Sequence, residues 1–178
     1  MTKKRLFVAI ELPEELRIAL SNAMMESPAE DIRWTPPENL HITLLFIGDT
    51  QEEQIPAIKK SLKKGLSGIE PFYLSFSGYK IIYKKKQPVM VWGVFDFPEA
   101  YKKLAEKLHQ TCQISAKHDP YPHVTLTRIK KKTDLSAEKL KPFEEIRFHD
   151  WKISGFSLFE SVLTAERPYY KVLDHFNF

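Results

Sequence analysis

The tetrapeptide His-Ile-Thr-Leu at 41–44 returns 82 residues later as His-Val-Thr-Leu at 123–126, each time after a nearby proline. Two Pro-Glu pairs, at 13–14 and 98–99, stand 85 residues apart. A chain that repeats its landmarks at nearly one spacing is constrained to fold twice in a similar way. The first half reads as a strand in RLFVAIEL (5–12), then a helix opened by Pro13-Glu14 with Leu16, Ala19, Leu20 and Ala23 on its apolar stripe. A second strand, LHITLLFIG (40–48), ends at Gly48, and a capping box of Thr50 and Glu53 opens the lysine-rich helix QIPAIKKSLKKGL (54–66), although Pro56 sits awkwardly in it. The order repeats as strand PVMVWGVFDF (88–97), a helix from Pro98-Glu99, strand HVTLTRI (123–129) and a helical stretch at 135–146 that Pro142 shortens or kinks.

The segments at 71–82, 151–163 and 169–178 alternate as antiparallel strands, with the lysines at 84–86 forming a hairpin tip. The expected fold is therefore α+β, with internally duplicated β-α-β-α halves, approximate repeats 4–66 and 88–145, inside a single domain spanning 1–178. An approximate two-fold axis would bring the two histidine strands face to face across a cleft.

Side chains alternate along a strand, so His41 and Thr43 share one face while Ile42 and Leu44 share the other, and the same holds for His123 and Thr125 against Val124 and Leu126. Two imidazoles and two hydroxyls around one point suit acid–base chemistry at a phosphodiester. One neutral imidazole takes a proton from water and the other, protonated, gives one to the departing alkoxide, as an unperturbed pKa of about 6.5 allows. The hydroxyls would donate to the non-bridging oxygens where charge accumulates. A lone strand histidine is usually a hydrogen-bonded, partly buried side chain; its repetition with threonine at i+2 argues otherwise. A metal site would need a third ligand, for which His118 and Asp119 beside His123 are the candidates. A turn leading into the strand is the preferred reading of that stretch, and no metal or other cofactor is expected.

A net charge of +4 and a pI of about 9.0 favour an anionic ligand mildly. The lysine clusters at 63–64, 84–86 and 130–132 could guide a phosphate backbone, with solvated turns as the default reading. The one cysteine, Cys112, rules out an intramolecular disulfide, fits a reducing cytoplasm and reads as a packing residue. Nothing at the start reads as a signal peptide, and no run approaches the roughly 18 apolar residues of a membrane span.

In RLFVAIELP, RWTPPENLHITLLFIG, PYPHVTLTR and the late FSLFESVL and RPYYKVL, the chain resembles the two-histidine (2H) phosphoesterases, in particular the RNA 2′,3′-cyclic phosphodiesterases formerly called 2′-5′ RNA ligases. The resemblance implies a bilobal fold with both motifs in a central cleft. It implies metal-free hydrolysis of a terminal RNA 2′,3′-cyclic phosphate to a 2′-phosphomonoester, with His41 as donor to O3′ and His123 as the base. Arg128 then matches a phosphate-binding arginine, although strict alternation from His123 puts it on the wrong face unless a bulge intervenes. Phe7 and Trp34 resemble aromatic positions that could stack on a base.

The expected partner is thus RNA or a nucleotide with a 2′,3′-cyclic phosphate end, with no membrane and no obligate protein partner. A ligase running the same chemistry backwards, and an RNA- or nucleotide-binding module that has lost it, are the alternatives. Water at about 55 M favours hydrolysis over ligation, and an intact acid–base pair disfavours a mere binder.

Overall fold

The computed structural model describes residues 2–27, 32–115, 120–129, 135, 137–165 and 167–178. The strands are β1 (Lys3–Glu11), β2 (His41–Gln51), β3 (Phe72–Leu74), β4 (Phe76–Lys84), β5 (Gln87–Phe95), β6 (His123–Arg128), β7 (Trp151–Ile153), β8 (Gly155–Val162) and β9 (Tyr169–Asn177). The helices are α1 (Glu14–Glu26), α2 (Ile55–Gly65), α3 (Glu99–Thr111) and the single turn α4 (Lys141–Glu144). Both Pro-Glu pairs work alike. Pro13 and Pro98 are extended N-cap residues whose carbonyls accept the first helical N–H bonds, and the glutamate that follows favours the positive helix end.

Seven strands form one antiparallel sheet in the order β4-β5-β6-β2-β1-β8-β9, while β3 and β7 pair separately. The expected α+β class with antiparallel sheets holds. β1 and β5 stand in corresponding places on either side of the inner strands β2 and β6. Those inner strands share one paired position among the described residues, Ile42 with Val124, each the residue after a motif histidine. On the far side of the sheet, Ile42, Leu44, Val124 and Leu126 join Leu16 and Leu20 of α1 and Tyr101, Leu104 and Leu108 of α3 in one buried core. Phe7, Ala9 and Phe159 form a separate small cluster on the opposite face. The helices therefore cover one face and leave the other to the histidines.

Both motif strands carry the same irregularity. The β1–β2 register moves from Ala9–Thr43 to Val8–Leu45, and the β5–β6 register from Trp92–Thr125 to Val91–Thr127. In each case two consecutive residues, Leu44-Leu45 and Leu126-Thr127, are buried, and the next one, Phe46 or Arg128, is exposed. A β-bulge spends one residue without advancing the alternation. Arg128 thereby returns to the histidine face, which strict alternation denied it.

Where β2 and β6 stop pairing, other donors serve their backbones, as buried carbonyls require. The Tyr101 hydroxyl donates to the Thr43 carbonyl (3.3 Å) and the Thr35 hydroxyl to the Thr125 carbonyl (2.8 Å). Residues 33–35 run beside β6, with the Thr35 N–H on the Leu126 carbonyl and the Thr127 hydroxyl on that of Arg33.

Several expected boundaries move. β2 passes Gly48, whose φ of +89° suits glycine, and continues to Gln51. Thr50 lies inside that strand with its hydroxyl on the Gly48 carbonyl, so the Thr50–Glu53 capping box does not form. Gln54 Oε1 instead accepts the Gln51 N–H, and Pro56 sits harmlessly in the first turn of α2. The helix expected at 135–146 shrinks to a 3₁₀ turn at Ala137–Leu140 followed by α4. The lysine tip stands as expected, with Lys85 and Lys86 at positive φ joining β4 to β5.

Ile42 is fully buried at the only β2–β6 pair described. Ile42→Ala should cost about 2–5 kcal/mol of stability, measured as a fall in the urea midpoint with unchanged slope; a loss under about 1 kcal/mol would contradict the packing assigned to this seam.

Candidate active site

His41 opens β2 and His123 opens β6 on either side of the Ile42–Val124 pair, so the seam itself brings the two imidazoles together. Both rings are held in the same way. His41 Nδ1 lies 2.7 Å from the Asn39 carbonyl and His123 Nδ1 2.8 Å from the Tyr121 carbonyl, in each case the residue two before. A carbonyl only accepts, so Nδ1 carries the hydrogen in both rings and Nε2 is left as the nitrogen that exchanges protons. Asn39 is itself buried and donates through its side chain to the Pro168 carbonyl at 2.9 Å.

The surroundings of the two rings differ. His41 packs against Phe7 (ring centroids 4.9 Å apart) and meets the edge of Tyr170 (5.1 Å). His123 stacks on the Trp92 indole, 3.9 Å away and within 24° of parallel. Burial among these aromatics pushes the His41 pKa down to about 4, against a partial rise from the Asn39 carbonyl, with the charges of His123 and Arg128 lowering it further. Burial lowers the His123 pKa too, opposed by the Tyr121 carbonyl and assisted by Arg128. Arg128 acts on both rings and His123 on His41, which places the three groups near one another on this face of the sheet. Arg128 also acts on the half-buried Tyr170 hydroxyl, whose pKa burial raises. Its guanidinium reaches Met90 Sδ at 3.0 Å on the neighbouring strand.

Thr43 and Thr125 are half-buried beside their histidines, on the same face. Phe7 is 4% exposed, and its ring is taken up by His41, Phe159 and Tyr170. It has no face free to stack on a base and serves instead as the floor that positions His41. Trp34 is likewise turned away, packed on Phe143 against the main core. Half-buried Cys112 carries a thiol whose pKa burial pushes up, in keeping with a packing role. His118, Asp119 and the lysines at 130–132 lie outside the described residues. Among the described residues no three His, Cys, Asp or Glu side chains gather at metal-ligand distance, and no helix is long and apolar enough to cross a membrane.

Sequence reading missed Trp92, Tyr170 and the two carbonyl anchors, Asn39 and Tyr121. Trp92 sits in an apolar strand that looks like any core strand, and Tyr170 arrives from a strand 129 residues after His41. Only the pairing of β5 with β6 and the reach of β9 across β8 bring them in. A further polar cluster stands nearby, where Ser157 Oγ bonds both Glu11 and His175 (2.8 Å to Nδ1) and Glu11 is the register partner of His41.

Known proteins resemble this chain in sequence and fold. The family model for LigT like Phosphoesterase matches residues 10–92 and 96–170. The chain is 33% identical to the RNA 2′,3′-cyclic phosphodiesterase of Thermus thermophilus over 97% of its own length and 89% of that protein's, and 30% identical to that of Archaeoglobus fulgidus over 95% and 97%. The crystal structure of the Thermus thermophilus protein TT0787 superposes with a TM-score of 0.78 at 30% identity over 97% of both chains. Escherichia coli LigT, solved in complex with 3′-AMP, has the same fold, with a TM-score of 0.79 at 22% identity over 99% of this chain and 98% of that one.

The depressed pKa values make a linkage testable. A folded-state pKa below the unfolded 6.5 means that the unfolded chain binds more protons, so stability from this source is present above about pH 6.5 and is lost as pH falls toward 4. An anion bound between the rings favours their protonated forms. In NMR titrations His41 should titrate near 4 in the free protein and higher with inorganic phosphate bound. Sulfate, whose charge is constant across this range, should also raise the Tm more at pH 5.5 than at pH 8. Equal protection at both pH values would show that the anion binds elsewhere.

Proposed function

The chain belongs to the LigT-like phosphoesterase family, and from that membership and its paired imidazoles we propose that it hydrolyses RNA 2′,3′-cyclic phosphate ends to 2′-phosphomonoesters, without a metal. The observation that carries this reading is the matched pair of Nδ1–carbonyl bonds, which leaves one exchangeable nitrogen on each side of one cleft. Relatives named RNA 2′,3′-cyclic phosphodiesterase across archaea and bacteria support the choice of substrate.

In this reading residues 1–178 act as a single domain, each approximate repeat supplying one imidazole. Neutral His123 takes a proton through Nε2 from a water, whose oxygen attacks phosphorus. The P–O3′ bond breaks as His41 Nε2–H protonates O3′, giving a 3′-hydroxyl and a 2′-phosphate. His123 is left protonated and His41 neutral, and exchange with solvent resets both. The Trp92 face stabilises the imidazolium that His123 becomes, a cation–π contact of about 0.5–2 kcal/mol. Thr43, Thr125 and Arg128 hold the non-bridging oxygens. A single cysteine supports a reducing, cytoplasmic setting.

A His41 pKa of about 4 leaves it almost entirely neutral at pH 7 in the empty cleft. The substrate corrects this. One phosphate charge at ~5 Å and an effective dielectric of ~20 is worth about 3 kcal/mol, enough to bring His41 back to the ordinary imidazole range. The proton donor is thus armed by the anion on which it acts.

Activity should persist in EDTA, and dependence on added zinc or manganese would sink the metal-free mechanism. His41→Ala and His123→Ala should each lower kcat by roughly 10²-fold or more, with Thr43→Ala and Thr125→Ala milder; near-normal turnover in either histidine variant overturns the acid–base pair.

Because bound anion favours both imidazolium forms, both limbs of the bell-shaped kcat profile should lie at higher pH than those of kcat/KM. The limbs belong to the coupled pair rather than to one residue. Superimposable profiles would mean that substrate does not arm the donor.

A further inference from the structure

The lysines of the β4–β5 hairpin take no part in the reaction, yet the register carries the histidine face out to them. Residues paired across neighbouring strands share a face. Thr125 pairs with Trp92, the residue stacked on His123, and Trp92 pairs with Lys80 on the edge strand β4. In the next row Arg128 pairs with Met90 and Met90 with Ile82, and alternation along β4 returns Lys84 to the same face. Lys80, Lys84 and the turn residues Lys85 and Lys86 are all exposed, and among the described residues none of the four has an ion-pair partner. β4, β5 and β6 contain no Asp or Glu. In the first half the same face carries Glu11 opposite His41 and the packed rings of Phe7 and Phe159. A bound polyanion therefore meets uncompensated cations in one direction only.

The hairpin turn supplies a second observation. Lys85 and Lys86 have φ of +50° and +65°, the conformation of a two-residue turn that Asn-Gly fits best and that a lysine adopts against its Cβ. A charge kept in an unfavourable backbone conformation points to a use for the charge. Lysine also guards a sheet edge against pairing, but that duty is met on either face. Here both β4 lysines lie on the histidine side, while Tyr79, Ile81 and Tyr83 alternate on the other.

We propose that Lys80, Lys84 and the turn beyond them form a track for single-stranded RNA, holding the backbone phosphates on the 5′ side of the nucleotide that reacts between the histidines; this rests on the cyclic phosphodiesterase reading. Lys80 and Lys84 are four residues apart on one strand, about 13 Å. That is too far to share one phosphate, so each takes its own. A lysine ammonium is a point charge with three rotatable donors and follows a flexible backbone without reading bases. The track thus selects for length of RNA and not for sequence, and a mononucleotide is too short to use it.

The test compares wild type with the double variant Lys80→Ala/Lys84→Ala, its charge-keeping counterpart Lys80→Arg/Lys84→Arg, and Lys63→Ala/Lys64→Ala on α2, which removes the same charge from the helix side. Binding of a fluorescent single-stranded RNA ending in a 2′-phosphate is followed by anisotropy across a salt series. Kinetics are measured on a cyclic-phosphate-ended oligonucleotide and on adenosine 2′,3′-cyclic monophosphate. Lys80→Ala/Lys84→Ala should weaken oligonucleotide binding about tenfold at low salt and flatten the plot of log affinity against log salt by about 1.4, the release expected for two single-strand phosphates. Its KM should rise for the oligonucleotide with little change in kcat and stay within about twofold of wild type for the mononucleotide. The arginine pair should restore binding, and the α2 pair should leave it near wild type. An unchanged salt slope, an equal loss on the mononucleotide, or an equal loss from the α2 pair overturns the proposal. If RNA binding depends on Lys80 and Lys84 but no cyclic phosphate is hydrolysed, the track stands and the enzymatic reading falls. Hydrolysis with an oligonucleotide KM that ignores both lysines is the reverse.

Discussion

The inner strands β2 and β6 meet at Ile42 and Val124, and the positions of both histidines depend on that contact. Each of these apolar residues follows a histidine, is fully buried and belongs to the main core under the helices. Because strand side chains alternate, pinning residues 42 and 124 into the core obliges residues 41 and 123 to stand on the other face. Helix packing on one side of the sheet thus fixes the chemistry on the other. Side-chain hydroxyls from Tyr101 and Thr35 support the neighbouring carbonyls, so the seam can open beyond its one pair without stranding polar groups.

The electrostatics follow from how the rings are held. Binding Nδ1 to a carbonyl two residues back costs each imidazole a rotational choice and favours its protonated form, while burial among aromatics disfavours it. Burial dominates at both rings, with Phe7 and Tyr170 crowding His41 and the Trp92 indole covering His123. The outcome is a cleft whose empty state is neutral at the histidines but lies under the field of Arg128. In the proposed reaction such a site would take up an anion and a proton together, which suits a donor that need be charged only while substrate is present.

The two halves share a backbone plan and differ in what they present. Ala9 in β1 stands opposite Thr43 where Trp92 in β5 stands opposite Thr125, and Phe46 occupies the slot that corresponds to Arg128. Identical halves would hold two equivalent imidazoles. These differences make the rings inequivalent, with one in an aromatic pocket and the other against an indole face.

The repeated His-x-Thr-Leu, the paired Pro-Glu helix starts and the period-2 alternation were legible in the sequence because each is set by neighbours a few residues away. They were enough to fix the fold class, the face of each histidine and the threonine beside it. What tertiary structure decided is what local pattern does not encode. The bulges that turn Arg128 and Phe46 toward the cleft arise from register against β5 and β1, and no residue type announces them. Phe7 looked like a stacking residue by its place on an apolar strand, but the packing of β8 and β9 across it made it a floor. Trp92 and Tyr170 entered the site through strand order, and the capping box moved from Thr50 to Gln51 because β2 stayed paired with β1 for three residues past Gly48. Short-range stereochemistry set which residues could act; long-range pairing set which of them meet, because a register is a property of two strands and not of one.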